Sequence, residues 1–176
     1  MTTLFLARHG ETDWNRELRI QGSSDIALNE LGREQAWALA AELADVALDA
    51  IYSSDLSRAR ETAEAVAARH GLEVRLDPRL RERAFGSWEG LTREDIVALG
   101  DGARHDGESD DEVRERVLEA VQAIADAHPG EHVLVVAHGG ALNTLWHHAV
   151  GERVERWANC AVYKLAVREG EFLPVD

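Results

Sequence analysis

Leu4-Phe5-Leu6-Ala7-Arg8-His9-Gly10 is the stretch that decides the fold of this chain. Four apolar residues in a row have the length and character of a strand buried on both faces. The run ends abruptly in a cation, an imidazole and a glycine. Such an ending suits the carboxyl end of a strand in an open α/β sheet, where ligands collect. Gly10 permits a turn and lets backbone N–H groups approach a ligand closely. Arg8 is permanently charged and can grip phosphate through two N–H groups, while a neutral His9 can serve as nucleophile. The tripeptide recurs as Arg69-His70-Gly71, at the end of an expected helix. There the imidazole favours the helix dipole and the glycine is the C-terminal cap. Context, not the tripeptide, separates the two places.

From that strand the pattern extends in both layers of a sheet. A polar loop is expected from Asp13 to Asp25, then a helix over 30–45 capped by Asn29. Asp49 to Tyr52 reads as a strand, followed by a helix over 56–70 capped by Ser54 or Asp55. A strand over 72–76 precedes a loop that starts at Pro78 and carries Arg79, Arg81, Glu82 and Arg83. Residues 85–111 contain Gly86, Gly90, Gly100, Gly102 and Gly107, and read as a short cap-like insertion around a helix over 92–99. An amphipathic helix begins at Asp110 and is ended by Pro129-Gly130. Val133-Leu134-Val135-Val136 is the strongest strand signal, and His138-Gly139-Gly140 then opens a helix over 141–150. A strand over 161–167 pairs with 171–175 as a hairpin across Glu169-Gly170. Alternating strands and helices imply a single α/β domain over 1–176, a three-layer α/β/α sandwich with a mostly parallel central sheet.

Composition narrows the function. The chain has 176 residues, 45% of them hydrophobic, enough for one full core. Thirty-three acidic and 19 basic residues leave a net charge of −14, which argues against nucleic acid or an anionic membrane as partner. A small anionic substrate is still compatible, because a pocket can be positive on a negative protein. No apolar run is long enough for a membrane span, and no signal peptide is apparent. Cys160 is the only cysteine, so a cytoplasmic protein is expected. The oligomeric state is not legible, with a homodimer among the options.

Two expected strands end in His-Gly, at His9-Gly10 and His138-Gly139, and a third leads into Ser54-Asp55-Leu56-Ser57-Arg58. If the three are neighbours, two imidazoles and two guanidiniums converge. Arg8 and Arg58 would then bind phosphate oxygens and His138 would donate a further hydrogen bond. His9 is the natural nucleophile: nearby cations oppose its protonation, and a backbone carbonyl on its other ring nitrogen would set the tautomer. Glu82 is the expected general acid, with Glu89 and Glu108 as rivals. Arg60, Arg79, Arg81 and Arg83 read as solvated charges. Trp14, Trp37, Trp146 and Trp157 read as packing residues, and Trp88 as a candidate substrate contact. A zinc site from His9, His138, His147, His148 and Cys160 lacks ligand-pair spacing, since adjacent His147 and His148 diverge on a helix.

Several segments resemble the histidine phosphatase superfamily, the phosphoglycerate-mutase-like clan. They are Leu6-x-Arg8-His9-Gly10-Glu11-Thr12 with Trp14 and Asn15, Gln21-Gly22-x-x-Asp25, and Ser54-Asp55-Leu56-x-Arg58-Ala59-x-x-Thr62-Ala63. Leu80-x-Glu82, Gly86-x-Trp88-Glu89-Gly90, Gly107-Glu108-Ser109 and Val136-Ala137-His138-Gly139-Gly140 follow in family order. The resemblance implies that Arg8, His9, Arg58 and His138 form a phosphate pocket, that His9 takes up the phosphoryl group and that Glu82 gives the proton. It places Asn15, Gln21, Gly22 and Gly139 on the substrate side and requires neither metal nor cofactor. The chain departs from the mutases: only 56 positions separate Glu82 from His138, and Arg104-His105 stands where a basic pair would grip a carboxylate. These departures resemble the small phosphatase branch. The implied activity is metal-independent hydrolysis of a small phosphorylated metabolite through phosphohistidine. The alternatives are a phosphoglycerate mutase, a mixed mutase-phosphatase, or a phosphate-binding protein without turnover.

Overall fold

A computed structural model describes residues 1–175. Six strands form one sheet in the order β3-β2-β4-β1-β5-β6. They are β1 (Thr2–Arg8), β2 (Ala50–Ser53), β3 (Val74–Leu76), β4 (His132–Ala137), β5 (Val162–Arg168) and β6 (Glu171–Val175). The first four run parallel to one another. The β5–β6 hairpin closes one edge antiparallel to β1, so the sheet is mixed. Its turn residues, Glu169 and Gly170, both have positive φ (51° and 82°), the backbone a two-residue hairpin turn requires.

The period of two along each central strand divides the core into two layers. Leu4 and Leu6 of β1, with Val133, Val135 and Ala137 of β4, face α5 (Asp110–Ala127) and α6 (Gly139–Val150). Phe5 and Ala7, with Leu134 and Val136, face α2 (Glu30–Glu42) and α3 (Ser57–His70). That is the expected three-layer α/β/α arrangement. Each of the Leu, Val and Phe side chains among these contributes about 1.5–3 kcal/mol by burial. The strands, and therefore their carboxyl ends, are fixed by packing on both faces.

Three local expectations are corrected. The loop after β1 contains a short helix, α1 (Asp13–Arg16), closed by a capping box between Thr12 and Asn15. Neither Ser54 nor Asp55 caps α3; Leu56 occupies the cap position, and the Ser57 N–H donates instead to Asp25 Oδ1 at 2.7 Å. That cap comes from 32 residues away, which no local pattern can show. Helix α6 starts at Gly139, directly after His138. Asn29 does cap α2, accepting from the Gly32 N–H at 2.8 Å. Residues 85–111 hold a 3-10 turn, Gly86–Trp88, and the short helix α4 (Arg93–Ala98).

Candidate active site

Parallel pairing brings the chemistry together. Arg8 of β1 is in register with Ala137 of β4, so His9 and His138 are the next residues of adjacent strands. Their backbones remain joined, with His9 N–H donating to the Ala137 carbonyl at 3.1 Å. The two ring centroids lie 5.1 Å apart. Ser54, just beyond β2, donates its backbone N–H to Val136 and completes a row of three strand ends.

His9 is buried, and its Nδ1–H donates to the Gly10 carbonyl at 2.6 Å. The lone pair is thereby placed on Nε2, the tautomer expected from the sequence. Burial, then the charges of Arg58 and Arg8, hold its pKa well below the ordinary imidazole value. The Gly10 N–H donates to Thr62 Oγ1 at 3.0 Å, and the Thr62 hydroxyl donates to the Arg58 carbonyl at 2.7 Å. The Asn159 amide holds the His9 carbonyl at 2.9 Å. His138 is fully buried, with Nε2 at 2.9 Å from Ser54 Oγ. Burial, then Arg58, His9 and Arg8, likewise hold its pKa well below the usual range.

Arg58 stands in the first turn of α3 and is 1% exposed. Its Nη1 donates to the Ser24 carbonyl at 2.7 Å and its Nη2 to the Gly22 carbonyl at 2.8 Å. Burial lowers its pKa to about 10, against the pull of Glu82 and Asp25, and it stays cationic at neutral pH. Arg8 is held by the Trp157 carbonyl at 2.5 Å. Arg8 Nε, Arg58 Nε and His138 Nδ1 are buried polar atoms without a hydrogen-bond partner. A fourth such atom, His70 Nε2, is remote in sequence, at the end of α3. Buried polar atoms are almost always paired. Two guanidinium nitrogens and one imidazole nitrogen are thus left with unfilled hydrogen-bonding capacity.

Glu82 sits at the start of α6. Oε2 accepts from the Gly140 N–H at 2.9 Å, and Oε1 from the N–H groups of Ala141 and Arg83 at 3.0 and 2.9 Å. Arg116 secures the loop from below, donating to the Arg79, Arg81 and Glu82 carbonyls. Both rival carboxylates are engaged elsewhere. Glu108 is bound by Arg116 through two nitrogens at 2.7 Å, which holds its pKa below the usual carboxylate value. Glu89 accepts from Ser23, Ser24 and the Phe85 N–H. Burial alone would raise its pKa, but those hydrogen bonds outweigh it and lower it.

The remaining expected residues divide. Asn15 and Arg8 line a cavity of about 370 Å3, together with Trp14 and Asn159. Gln21 is buried and accepts the Thr12 hydroxyl at 2.7 Å. Gly22 reaches the site through Arg58, and a Cβ there would stand 2.3 Å from Glu89 Oε1. A Cβ on Gly139 would stand 3.4 Å from Arg8 Nε, so this glycine lies beside that guanidinium. Trp88 packs edge-on against His105 at 5.3 Å, and it is Trp14, read as a packing residue, that lines the cavity. Arg79 and Arg81 are paired with Asp77 and Asp55. Among the described residues no three of His, Cys, Asp and Glu gather as a metal-ligand set. Among the described residues no helix is long and apolar enough to cross a membrane. In the sequence Ser54 reads only as a candidate helix cap and Thr62 carries no assigned role, while Asn159 and Arg156 carry no signal at all.

Fold and site together define an α/β protein with a buried pair of histidines between two arginines at the strand ends. The chain belongs to the histidine phosphatase superfamily, branch 1, whose family model matches residues 4–175. It is 38% identical over 185 residues to phosphoglycerate mutase-like protein 4 of Arabidopsis thaliana, covering 96% of this chain and 80% of that protein. Among solved structures, Bacillus stearothermophilus YhfR matches with a TM-score of 0.90 at 38% identity, covering 99% of this chain and 95% of that one. A mycobacterial glucosyl-3-phosphoglycerate phosphatase, in complex with VO3, matches with a TM-score of 0.86 at 35% identity over 97% and 95% of the two chains. The family and these neighbours make the chain a phosphatase- or mutase-type enzyme.

Proposed function

We propose that this chain hydrolyses a small phosphorylated metabolite through a phosphohistidine at His9, without a metal or cofactor. The observation that carries the reading is the unpaired set Arg8 Nε, Arg58 Nε and His138 Nδ1 on residues that neighbour His9, whose Nδ1 is taken by the Gly10 carbonyl. Arg8 and Arg58 hold the phosphate oxygens. Ser54 Oγ accepts from the Leu56 N–H at 3.3 Å, which turns its hydroxyl proton toward His138 Nε2. His138 then carries its hydrogen on Nδ1 and donates it to the phosphoryl group. As His9 Nε2 bonds to phosphorus, the bond to the ester oxygen breaks, and Glu82 delivers a proton to that oxygen. In the second step Glu82 takes a proton from water, whose oxygen attacks phosphorus and releases His9. Asn15, Gln21 and Gly139 face the substrate. The residues act as one domain, with 85–111 a short insertion above the site.

Incubation with a phosphomonoester and quenching in base should trap a base-stable, acid-labile phosphoenzyme that is absent from His9→Ala. Full activity in His9→Ala, or no phosphoenzyme during turnover, would reject the mechanism. Supplying a bisphosphorylated glycerate primer and following isomer exchange against phosphate release separates hydrolysis from mutase activity. The short span between Glu82 and His138 favours hydrolysis.

A further inference from the structure

A second cavity, of about 410 Å3, lies between Arg83, the start of α5 and the later turns of α6. Its volume is in the range of small-molecule sites. None of His9, Arg58, Glu82 and His138 lines it, so an occupant is not the phosphoryl group handled by those residues. His147 and His148 are adjacent on α6, yet both line this one cavity, together with Arg83, Arg114 and Arg153. Asp110 is its only carboxylate. Three guanidiniums against one carboxylate make the lining positive even with both imidazoles neutral, on a chain whose net charge is −14. Arg83 is paired with Asp110, and Arg114 with Asp111 at 2.8 Å. Both carboxylates are exposed, and exposed pairs are worth little, so the two guanidiniums are free to turn to a more highly charged anion. Among the described residues the side chains of Arg153, His147 and His148 form no hydrogen bond or ion pair.

We infer that this cavity is a second anion site, for an inorganic oligophosphate of two or more linked phosphoryl groups. A metal cation is disfavoured by the three guanidiniums, and among the described residues no metal-ligand set is present. Sites for organic ligands are mostly apolar, whereas no apolar side chain lines this one. The Thr144 hydroxyl is committed to the Gly140 carbonyl at 2.9 Å, which leaves guanidinium forks and imidazoles as the donors. Such a lining suits a ligand whose surface is almost all oxygen, and it would leave the carbon skeleton of a polycarboxylate uncovered. Guanidinium forks match pairs of phosphate oxygens. The three forks come from three separate segments, so a chain of phosphoryl groups engages more of them than one orthophosphate does.

The probes are tripolyphosphate, orthophosphate and citrate, added to the whole chain at constant pH in magnesium-free buffer of low ionic strength. The ring-proton NMR signals of His147 and His148, assigned with His147→Gln and His148→Gln, report this cavity. His132, at the opposite end of β4 from His138, is the control. Tripolyphosphate should move the His147 and His148 signals saturably and leave His132 in place. Arg153→Glu and, on another element, Arg114→Ala should each weaken that binding by about tenfold, the size of one charged hydrogen bond. Both residues are exposed, so both variants should fold. Signals that stay in place, or a binding constant unchanged in both variants, would overturn the site. Orthophosphate or citrate binding as tightly as tripolyphosphate would overturn the choice of ligand. No readout depends on turnover, so the inference stands or falls apart from the phosphatase reading.

Discussion

Lowering the pH from 8 to 5 should destabilise this protein through His9 and His138. Both imidazoles are held neutral in the folded state by burial and by Arg58 and Arg8. In the unfolded chain each titrates near its ordinary value of 6.5. Below that pH the unfolded state binds protons that the folded state refuses, so stability falls as pH falls. The distance from 6.5 down to 5 caps the loss at about 2 kcal/mol per histidine, or about 4 kcal/mol together. For a domain of this size that is a drop in Tm of about 8–16 °C. The carboxylates with lowered pKa, the part-buried Asp55, Asp77, Glu89 and Glu108 and the exposed Asp95, Asp106 and Glu112, contribute mainly below their ordinary values of 3.8–4.5. Urea unfolding in phosphate-free buffer at half-unit steps gives the slope. His9→Asn keeps a donor for the Gly10 carbonyl, and His138→Gln keeps a partner for Ser54, so each should remain folded and halve the slope. A slope unchanged in both variants would refute the view that the site is dry and cationic enough to keep these rings neutral.

Glu82→Gln should slow phosphoenzyme formation from alkyl phosphates by roughly 10²–10⁴-fold and from p-nitrophenyl phosphate much less, because a nitrophenolate leaves without a proton. Single-turnover quench kinetics on both esters decides it, and equal losses would remove Glu82 from the acid role. Ser54→Ala leaves His138 Nε2 without its partner; it should cost about 1–3 kcal/mol by denaturant unfolding and slow transfer to His9 in the same quench assay. Gly140→Ala and Gly107→Ala should separate site from scaffold. A Cβ on Gly140 meets the mobile end of Glu82 at 2.5 Å, and the expected loss is in kcat with the melting temperature little changed. A Cβ on Gly107 meets the Ala84 carbonyl at 1.9 Å, where backbone must move, and the expected loss is in Tm.

The sequence by itself determined the alternation of buried strands and amphipathic helices, because apolar period and capping chemistry act over a few residues. It also singled out the candidate residues: His9 and His138 stand just beyond strand ends, Arg58 in the first turn of the helix after β2, and Glu82 beyond the 3-10 turn after β3. Three things were decided only by the tertiary structure. One was the strand order, which set β1 beside β4 and so His9 beside His138. Another was the surroundings of the three acidic residues: Arg116 holds Glu108, the Ser23–Ser24 loop holds Glu89, and α6 presents N–H groups to Glu82. The third was the supporting ring of Ser54, Thr62, Trp157 and Asn159, with Arg156 at the cavity. Backbone carbonyls and amides hold the arginines and His9 across separations of up to 150 residues, from Asn159 back to His9. A carbonyl's reach depends on where the chain runs in space and not on which side chain it bears, so no residue pattern could announce it.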